Sequence, residues 1–186
     1  MRYMAFTSRN MKELLRDPLS YIFCLGLPVL MLVIMTLVNS NIPSEAQMTI
    51  FNIENLGPGI AIFSFSFVML FACLQVSKDR YSSFLIRLYA SPMTAFDFIA
   101  GYTLPLLLIA LGQVVITFAV SSLIGLTTGT TFSLFNMLIS ALTLVPAVVL
   151  FIGFGLLFGS LFNDKVAPPI SSIVITLASI MGGIWM

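Results

Sequence analysis

The distribution of charge along the chain limits the possible folds more than any other feature of the sequence. Five stretches, each about as long as a membrane span, contain no Asp, Glu, Lys or Arg. A spanning helix needs about 20 apolar residues, and a charge at mid-membrane costs at least about 2.5–3.5 kcal/mol. The sequence therefore predicts an all-α, polytopic helical membrane protein with a single transmembrane domain, 1–186. The predicted spans are 19–38, 59–76, 98–124, 137–162 and 170–186.

Composition excludes several other classes of protein. Only 8% of the residues are charged, whereas a soluble domain usually carries about 25%. The net charge of +1 offers no basic surface for a nucleic acid. The chain lacks histidine, and Cys24 and Cys73 both lie inside apolar stretches, where they are interpreted as small buried side chains. No metal site and no bound cofactor are predicted.

All of the basic residues fall on one side of the predicted spans. With five spans crossing in alternation, the segments before the first span, between the second and third, and between the fourth and fifth share a side. The positive-inside rule then places the N-terminus in the cytoplasm of a multi-pass plasma-membrane protein. Loop 39–58 would lie outside. The basic residues are Arg2, Arg9, Lys12, Arg16, Lys78, Arg80, Arg87 and Lys165.

Proline punctuates the predicted helices. Asp or Ser followed by Pro is typical of a helix start, and Asp17-Pro18 and Ser91-Pro92 fit this pattern ahead of the first and third spans. Pro168-Pro169 precedes the fifth. Prolines within spans should kink them, either for packing or to shape a translocation path or hinge. The prolines within spans are Pro28, Pro105 and Pro146.

Residues 1–17 predict an amphipathic helix lying on the membrane surface. On a helical wheel, Met4, Met11 and Leu15 share one face, and the basic residues occupy the opposite sector. Such a helix would bury its apolar face and direct its basic face toward anionic headgroups. Phe6 is the exception, since it falls on the polar side. The alternative is a basic tail that only sets orientation. The basic residues assigned to the interfacial helix are Arg9, Lys12 and Arg16.

Segment 77–97 is a second amphipathic element on the same side. Its central part is too short to span a membrane and too apolar for an unattached loop. Its apolar side chains would bury either in the membrane interface or in a groove on a cytoplasmic partner, with Arg80 and Arg87 at the rim. The predicted partner contacts are Lys78, Asp79, Arg80, Phe84, Leu85, Arg87, Leu88 and Tyr89.

The chain carries none of the motifs of an enzyme or an ATPase. It has no GxxxxGK[ST], HExxH, GxSxG or CxxC pattern, so it is not predicted to bind ATP through a P-loop or to catalyse a reaction. Gly155 and Gly159 form a GxxxG pair, which allows close helix approach within the subunit or between two copies. Mild polar groups lie within the spans, and most are expected to bond neighbouring helices. A possible substrate path is assigned to Gln113, Thr117 and Thr103.

Several motifs in order resemble the membrane subunit of type-2 ABC exporters, the ABC-2 permease family. They are the Arg9–Pro18 exit into the first span, Gly57-Pro58-Gly59 before the second, Lys78-Asp79-Arg80 with Leu85–Leu88 and Ser91-Pro92, the glycines at 155 and 159, Ala167-Pro168-Pro169, and Gly182–Trp185. The family has six spans, so the resemblance also leads us to expect a chain truncated before the sixth.

The resemblance implies one permease subunit of a homo- or heterodimer, paired with a separate ABC ATP-binding subunit that holds ATP and magnesium. Segment 77–97 would be the coupling element between them. The implied activity is ATP-driven export of a hydrophobic or amphipathic compound, such as a drug (as in multidrug exporters), a lipid or a glycan.

Two other functions stay open at this point. A non-transporting membrane scaffold or sensor subunit would have the same spans. An ion-coupled secondary carrier is less favoured, because such carriers generally need an ionisable group within the membrane. A neighbouring gene for an ATP-binding subunit would favour the permease over both.

Overall fold

The computed structural model describes residues 2–42, 52–82, 84, 86, 90–91, 93–129, 133–163 and 165–181. These residues contain helices and turns and no β-strand, which confirms the all-α polytopic prediction. The helices are α1 (Arg2–Arg16), α2 (Pro18–Asn41), α3 (Ile53–Tyr81), α4 (Ala95–Thr128), α5 (Leu134–Leu161) and α6 (Ala167–Met181).

Local sequence explains where two of the helices begin. Asp17 caps α2, since its carboxylate accepts from the Leu19 amide at 3.1 Å and from the Ser20 hydroxyl at 2.8 Å. The start of α4 differs from the prediction at Ser91-Pro92. A capping box of Thr94 and Asp97 begins that helix instead, because each side chain bonds the other residue's backbone amide.

Proline shapes α2 in a specific way. Residues Ile22–Gly26 form a π-helical turn, followed by Pro28 in the first turn of the next α-helical segment. Pro28 has no amide hydrogen, and in a regular α-helix its ring would clash with the carbonyl four residues earlier. The wider π-helical turn relieves this clash. α4 and α5 continue through Pro105 and Pro146.

Helix α3 is the centre of the bundle. It contacts α2, α4, α5 and α6, and 78% of its apolar stretch is buried, against 22–33% for α2, α4 and α5. It is also longer than predicted, beginning at Ile53 rather than residue 59 and ending at Tyr81 rather than residue 76. The predicted span ended before the first charged residues. In the structure, the helix continues through charged residues because these residues form ion pairs.

Four helices, α2 to α5, are long and apolar enough to cross a membrane. Large apolar side chains cover the outer faces of α2, α4 and α5. Such faces suit contact with lipid rather than with water. α6 is also apolar but shorter, and residues 182–186 lie outside the described part of the chain. A full fifth span therefore stays a prediction. Exposed examples are Leu30, Leu37, Leu108, Val115, Leu142 and Val149.

The GxxxG pair of α5 packs against α3. A Cβ atom built on Gly155 would lie 2.5 Å from the Met69 carbonyl oxygen, and one on Gly159 would lie 2.6 Å from the Cys73 carbonyl oxygen. Only glycine permits backbones this close. Of the two alternatives left open by the sequence, the structure uses the pair for packing within the subunit.

Candidate functional site

Helix α1 is held against the bundle by one row of side chains. Phe6, Asn10 and Leu14, spaced four residues apart, are all buried. The Asn10 side-chain amide donates to the Gly101 carbonyl of α4 at 3.0 Å. The Phe6 ring lies directly over Gly101, and a Cβ there would approach Phe6 Cδ1 to 2.1 Å. α1 is therefore a docked element as well as an amphipathic one.

Three aromatic rings surround Phe6. Tyr102 and Phe98 of α4 meet it edge-on, at centroid distances of 4.9 and 6.2 Å. Phe84, from the segment after α3, stacks on it at 6.3 Å. Phe6 therefore joins three parts of the chain. The place of Phe6 on the polar sector of the helical wheel is the one sequence signal of this contact.

An ion pair lies next to this aromatic group. Arg9 of α1 donates to both carboxylate oxygens of Asp79 near the end of α3, at 2.6 and 2.8 Å. The Tyr102 hydroxyl donates to the same carboxylate at 2.9 Å. The Arg9 guanidinium also lies 4.3 Å from the centre of the Phe84 ring, within range of a cation–π interaction. We call Phe6, Arg9, Asp79, Phe84 and Tyr102 the junction cluster.

The electrostatics of the junction cluster favour the charged form of Arg9. The hydrogen bond to Asp79 raises the pKa of Arg9 above its ordinary value, although partial burial opposes the shift. Glu13 extends the network, since it pairs with Arg9 at 2.9 Å and with Lys78 at 2.8 Å. The network thus connects α1 to the last turns of α3 through alternating charges.

The predicted partner contacts that the structure describes differ in their placement. Asp79 must be removed from that set, because its side chain is only 2% exposed and is bonded to Arg9 and Tyr102. Phe84 is directed to Phe6 and Arg9 rather than to a partner. Lys78 remains 70% exposed. Arg80 is exposed and donates to the Ser160 carbonyl at the end of α5. Four of the predicted contacts lie outside the described residues: Leu85, Arg87, Leu88 and Tyr89.

The three basic residues assigned to the interfacial helix differ in placement. Lys12 and Arg16 are exposed, whereas Arg9 points to Asp79, so we revise its predicted role at the headgroups. Met4 and Leu15 are exposed apolar side chains, in keeping with a lipid-facing surface. The helix has three faces rather than two, and the third is the row that docks on α4.

The residues assigned to a substrate path lie in the packed core. Gln113 and Thr117 of α4 are buried, and the Gln113 amide nitrogen approaches the Ala61 carbonyl of α3 at 3.4 Å. Thr103 is half-buried. These residues line neither the cavity beside Lys12 and Gln75 nor the cavity beside Arg80 and Phe98. Among the described residues, no group of three His, Cys, Asp or Glu side chains could hold a metal ion.

Comparison with known proteins adds the identity of the fold. The family model for the ABC-2 type transporter matches residues 1–186. The chain belongs to the ABC-2 type transporter family. As a member, it is a permease subunit of an ABC transporter, a multi-pass membrane protein associated with an ABC ATP-binding subunit. No curated protein and no solved structure matches this ABC-2 chain.

Proposed function

We propose that this chain is the permease subunit of an ATP-driven export system that moves a hydrophobic or amphipathic compound outward across the plasma membrane. The observation that carries this proposal is the family match over residues 1–186. The spans support it, because the predicted membrane stretches consist of apolar and mildly polar residues and contain no Asp, Glu, Lys or Arg. A cargo passing near such surfaces would carry little net charge.

The junction cluster supplies a route by which ATP-driven movement of the partner subunit would reach the helices of this chain. A separate ATP-binding subunit would press on the segment that follows α3. Phe84 of that segment packs on Phe6 and Arg9 of α1, and Arg9 is bonded to Asp79 of α3. Movement of the segment would therefore shift α1, α3 and the start of α4 together, because the same side chains join all three.

Docking by the coupling segment is testable in a reconstituted complex with the ATP-binding subunit encoded nearest to this gene. The variant combines Arg80→Glu, Arg87→Glu and Leu88→Asp. We expect it to insert into the membrane but to lose most of the stimulation of ATP hydrolysis, because a charge-reversed, polar rim opposes docking. The matched control is Lys165→Glu, a basic residue on the same predicted side, which should keep the stimulation.

Other outcomes identify the other functions. Equal stimulation by the variant and the parent would contradict the docking role. A stable complex in which the parent chain never stimulates ATP hydrolysis would indicate a scaffold. Transport that collapses with a proton uncoupler at constant ATP would indicate a secondary carrier.

A further inference from the structure

A groove runs between α1 and the last turns of α3, next to the junction cluster, whose Arg9 also lines it. Its volume is about 920 Å³, within the range of cavities that hold drug-sized ligands. Its walls come from the end of α1, the start of α2 and the stretch from Phe71 to Lys78 of α3. It therefore lies where the docked amphipathic helix meets two spans, at the headgroup level of the leaflet next to the N-terminus.

The charge within this groove is unbalanced. Both of its carboxylates already have partners, since Glu13 pairs with Arg9 and Lys78 and Asp17 caps α2. Lys12 and Arg16 also line the groove. They form no hydrogen bond or ion pair with any residue that the structure describes. Two exposed cations are thus available to an anion entering the groove.

A buried amide at the groove supports a ligand independently of charge. Gln75 lines the groove and is only 7% exposed. Its side-chain nitrogen and oxygen both lack a hydrogen-bond partner within the described part of the chain. Buried polar atoms are usually paired, and leaving them unpaired is costly. A hydroxyl-bearing group in the groove would accept from the nitrogen of this amide and donate to its oxygen.

The remaining wall is apolar. Phe71 and Leu74 precede Gln75 on α3, and Leu19 faces them from α2. A ligand that fits would need an anionic head near Lys12 and Arg16, hydroxyl or ester oxygens near Gln75, and hydrocarbon near Phe71. A free inorganic anion would leave the apolar wall uncovered, whereas an anionic phospholipid satisfies all three zones.

We propose that this groove is a binding site for an anionic phospholipid, with its phosphate held by Lys12 and Arg16 and the hydroxyl groups of its headgroup hydrogen-bonded to Gln75. The site rests on the docking of α1 on α4 and on its ion pairs to α3, and it is independent of which cargo, if any, the subunit transports. The bound lipid would complete the surface between α1 and the spans.

Fluorescence quenching tests the site in vesicles. The full chain carries Trp185→Phe and a reporter, Leu19→Trp, at the exposed apolar wall. The vesicles contain either brominated phosphatidylglycerol in phosphatidylcholine or brominated phosphatidylcholine in phosphatidylglycerol. We expect the reporter to associate preferentially with phosphatidylglycerol. A basic residue near the membrane surface strengthens binding to anionic lipid by a factor of about five. Lys12→Gln and Arg16→Gln should therefore each lower the preference for phosphatidylglycerol about fivefold.

Two variants separate a built site from general attraction to a charged surface. Lys165→Gln removes the same charge elsewhere and should leave the preference unchanged. Gln75→Leu removes no charge, yet it should lower the preference by about tenfold through the loss of hydrogen bonds to the headgroup. Circular dichroism confirms that each variant is folded, and the uncharged Gln75→Leu keeps the test decisive if a charge variant does not fold.

Specific results would overturn the proposal. They are equal quenching by the two brominated lipids in the parent, an equal loss in Lys165→Gln and Lys12→Gln, or an unchanged preference in Gln75→Leu. Release of the lipid by millimolar inorganic phosphate would assign the site to a free anion rather than to a phospholipid.

Discussion

At the scale of single residues, the pair of Arg9 and Asp79 has the largest consequences. The two residues lie 70 positions apart, and Arg9 donates two short hydrogen bonds to Asp79. Asp79 is buried, so its carboxylate depends on Arg9 and Tyr102 for the hydrogen bonds that water would otherwise supply. Removing one partner of such a pair leaves an uncompensated charge and typically costs about 3–5 kcal/mol.

A double-mutant cycle tests this dependence. Arg9→Gln leaves Asp79 without its cation, and we expect it to lower the free energy of unfolding by about 3 kcal/mol. Asp79→Asn should cost less, because the amide is neutral and still accepts from Tyr102. The double variant should lose less free energy of unfolding than the two single variants lose together. Denaturation in mild detergent gives the measurement, and additive losses would show that the two side chains do not interact.

Gly101 provides a second test, with a matched control on the same helix. A methyl group at Gly101 would meet the Phe6 ring, which its aromatic neighbours hold in place, whereas Gly112 has no atom within 4 Å of an added Cβ. Gly101→Ala should destabilise the fold by about 1–3 kcal/mol through overpacking, and Gly112→Ala should be neutral or slightly stabilising. The measurement is the midpoint of thermal denaturation of each variant. Equal midpoints for Gly101→Ala and Gly112→Ala would contradict the docking of α1.

The sequence could predict part of this site. The basic character of α1 and the charged end of α3 follow from their residue types. The burial of Asp79 could not be predicted, because it depends on a partner 70 residues away and on a glycine in a third helix. Phe6 gave the useful signal, since an aromatic residue within a charged sector needs a partner of its own.

At the scale of elements, the contact between α3 and α5 organises the bundle. α3 contacts α2, α4, α5 and α6, and α5 approaches it closely through Gly155 and Gly159. The sequence identified this pair but not its partner, since GxxxG spacing serves packing and dimerisation alike. The ends of helices were also harder to predict than their existence. The criterion of no charge ends the predicted span before Lys78 and Asp79, although both residues belong to α3's last turns, where each has a charged partner.

Alanine substitution distinguishes the two sides of α5. Gly155→Ala places a methyl against the Met69 carbonyl, which is backbone and cannot move aside, whereas Gly153 faces open space. We expect Gly155→Ala to lower the unfolding midpoint markedly and Gly153→Ala to have little effect. Size-exclusion chromatography serves as the second readout. If Gly155→Ala altered only the oligomeric state and left the stability of the subunit unchanged, packing within the subunit would not be the role of this glycine.

At the scale of the whole molecule, side chains separate into an apolar belt and one charged end. The outer faces of α2, α4 and α5 are apolar, and the paired charges Arg9, Glu13, Lys78 and Asp79 gather where α1 meets α3. The positive-inside rule turns this separation into an expected orientation, with that end in the cytoplasm.

Cysteine labelling tests the orientation on intact cells. In a background in which Cys24 and Cys73 are replaced by alanine, single cysteines are introduced as Ser133→Cys and Lys165→Cys, both at exposed positions. A membrane-impermeant maleimide should label the first and spare the second, and both should react after the membrane is permeabilised. Labelling of Lys165→Cys before permeabilisation would reverse the orientation.

The enclosure of α3 has a consequence for the synthesis of the protein. α3 leaves the ribosome before α4, α5 and α6, yet its burial depends on contacts with all three. Until they arrive, its buried polar side chains Ser64 and Ser66 and the surface that receives Gly155 face lipid or the insertion machinery. α3 is therefore fully enclosed only after the three helices that follow it have been inserted, and the centre of the bundle depends on helices that are synthesised later.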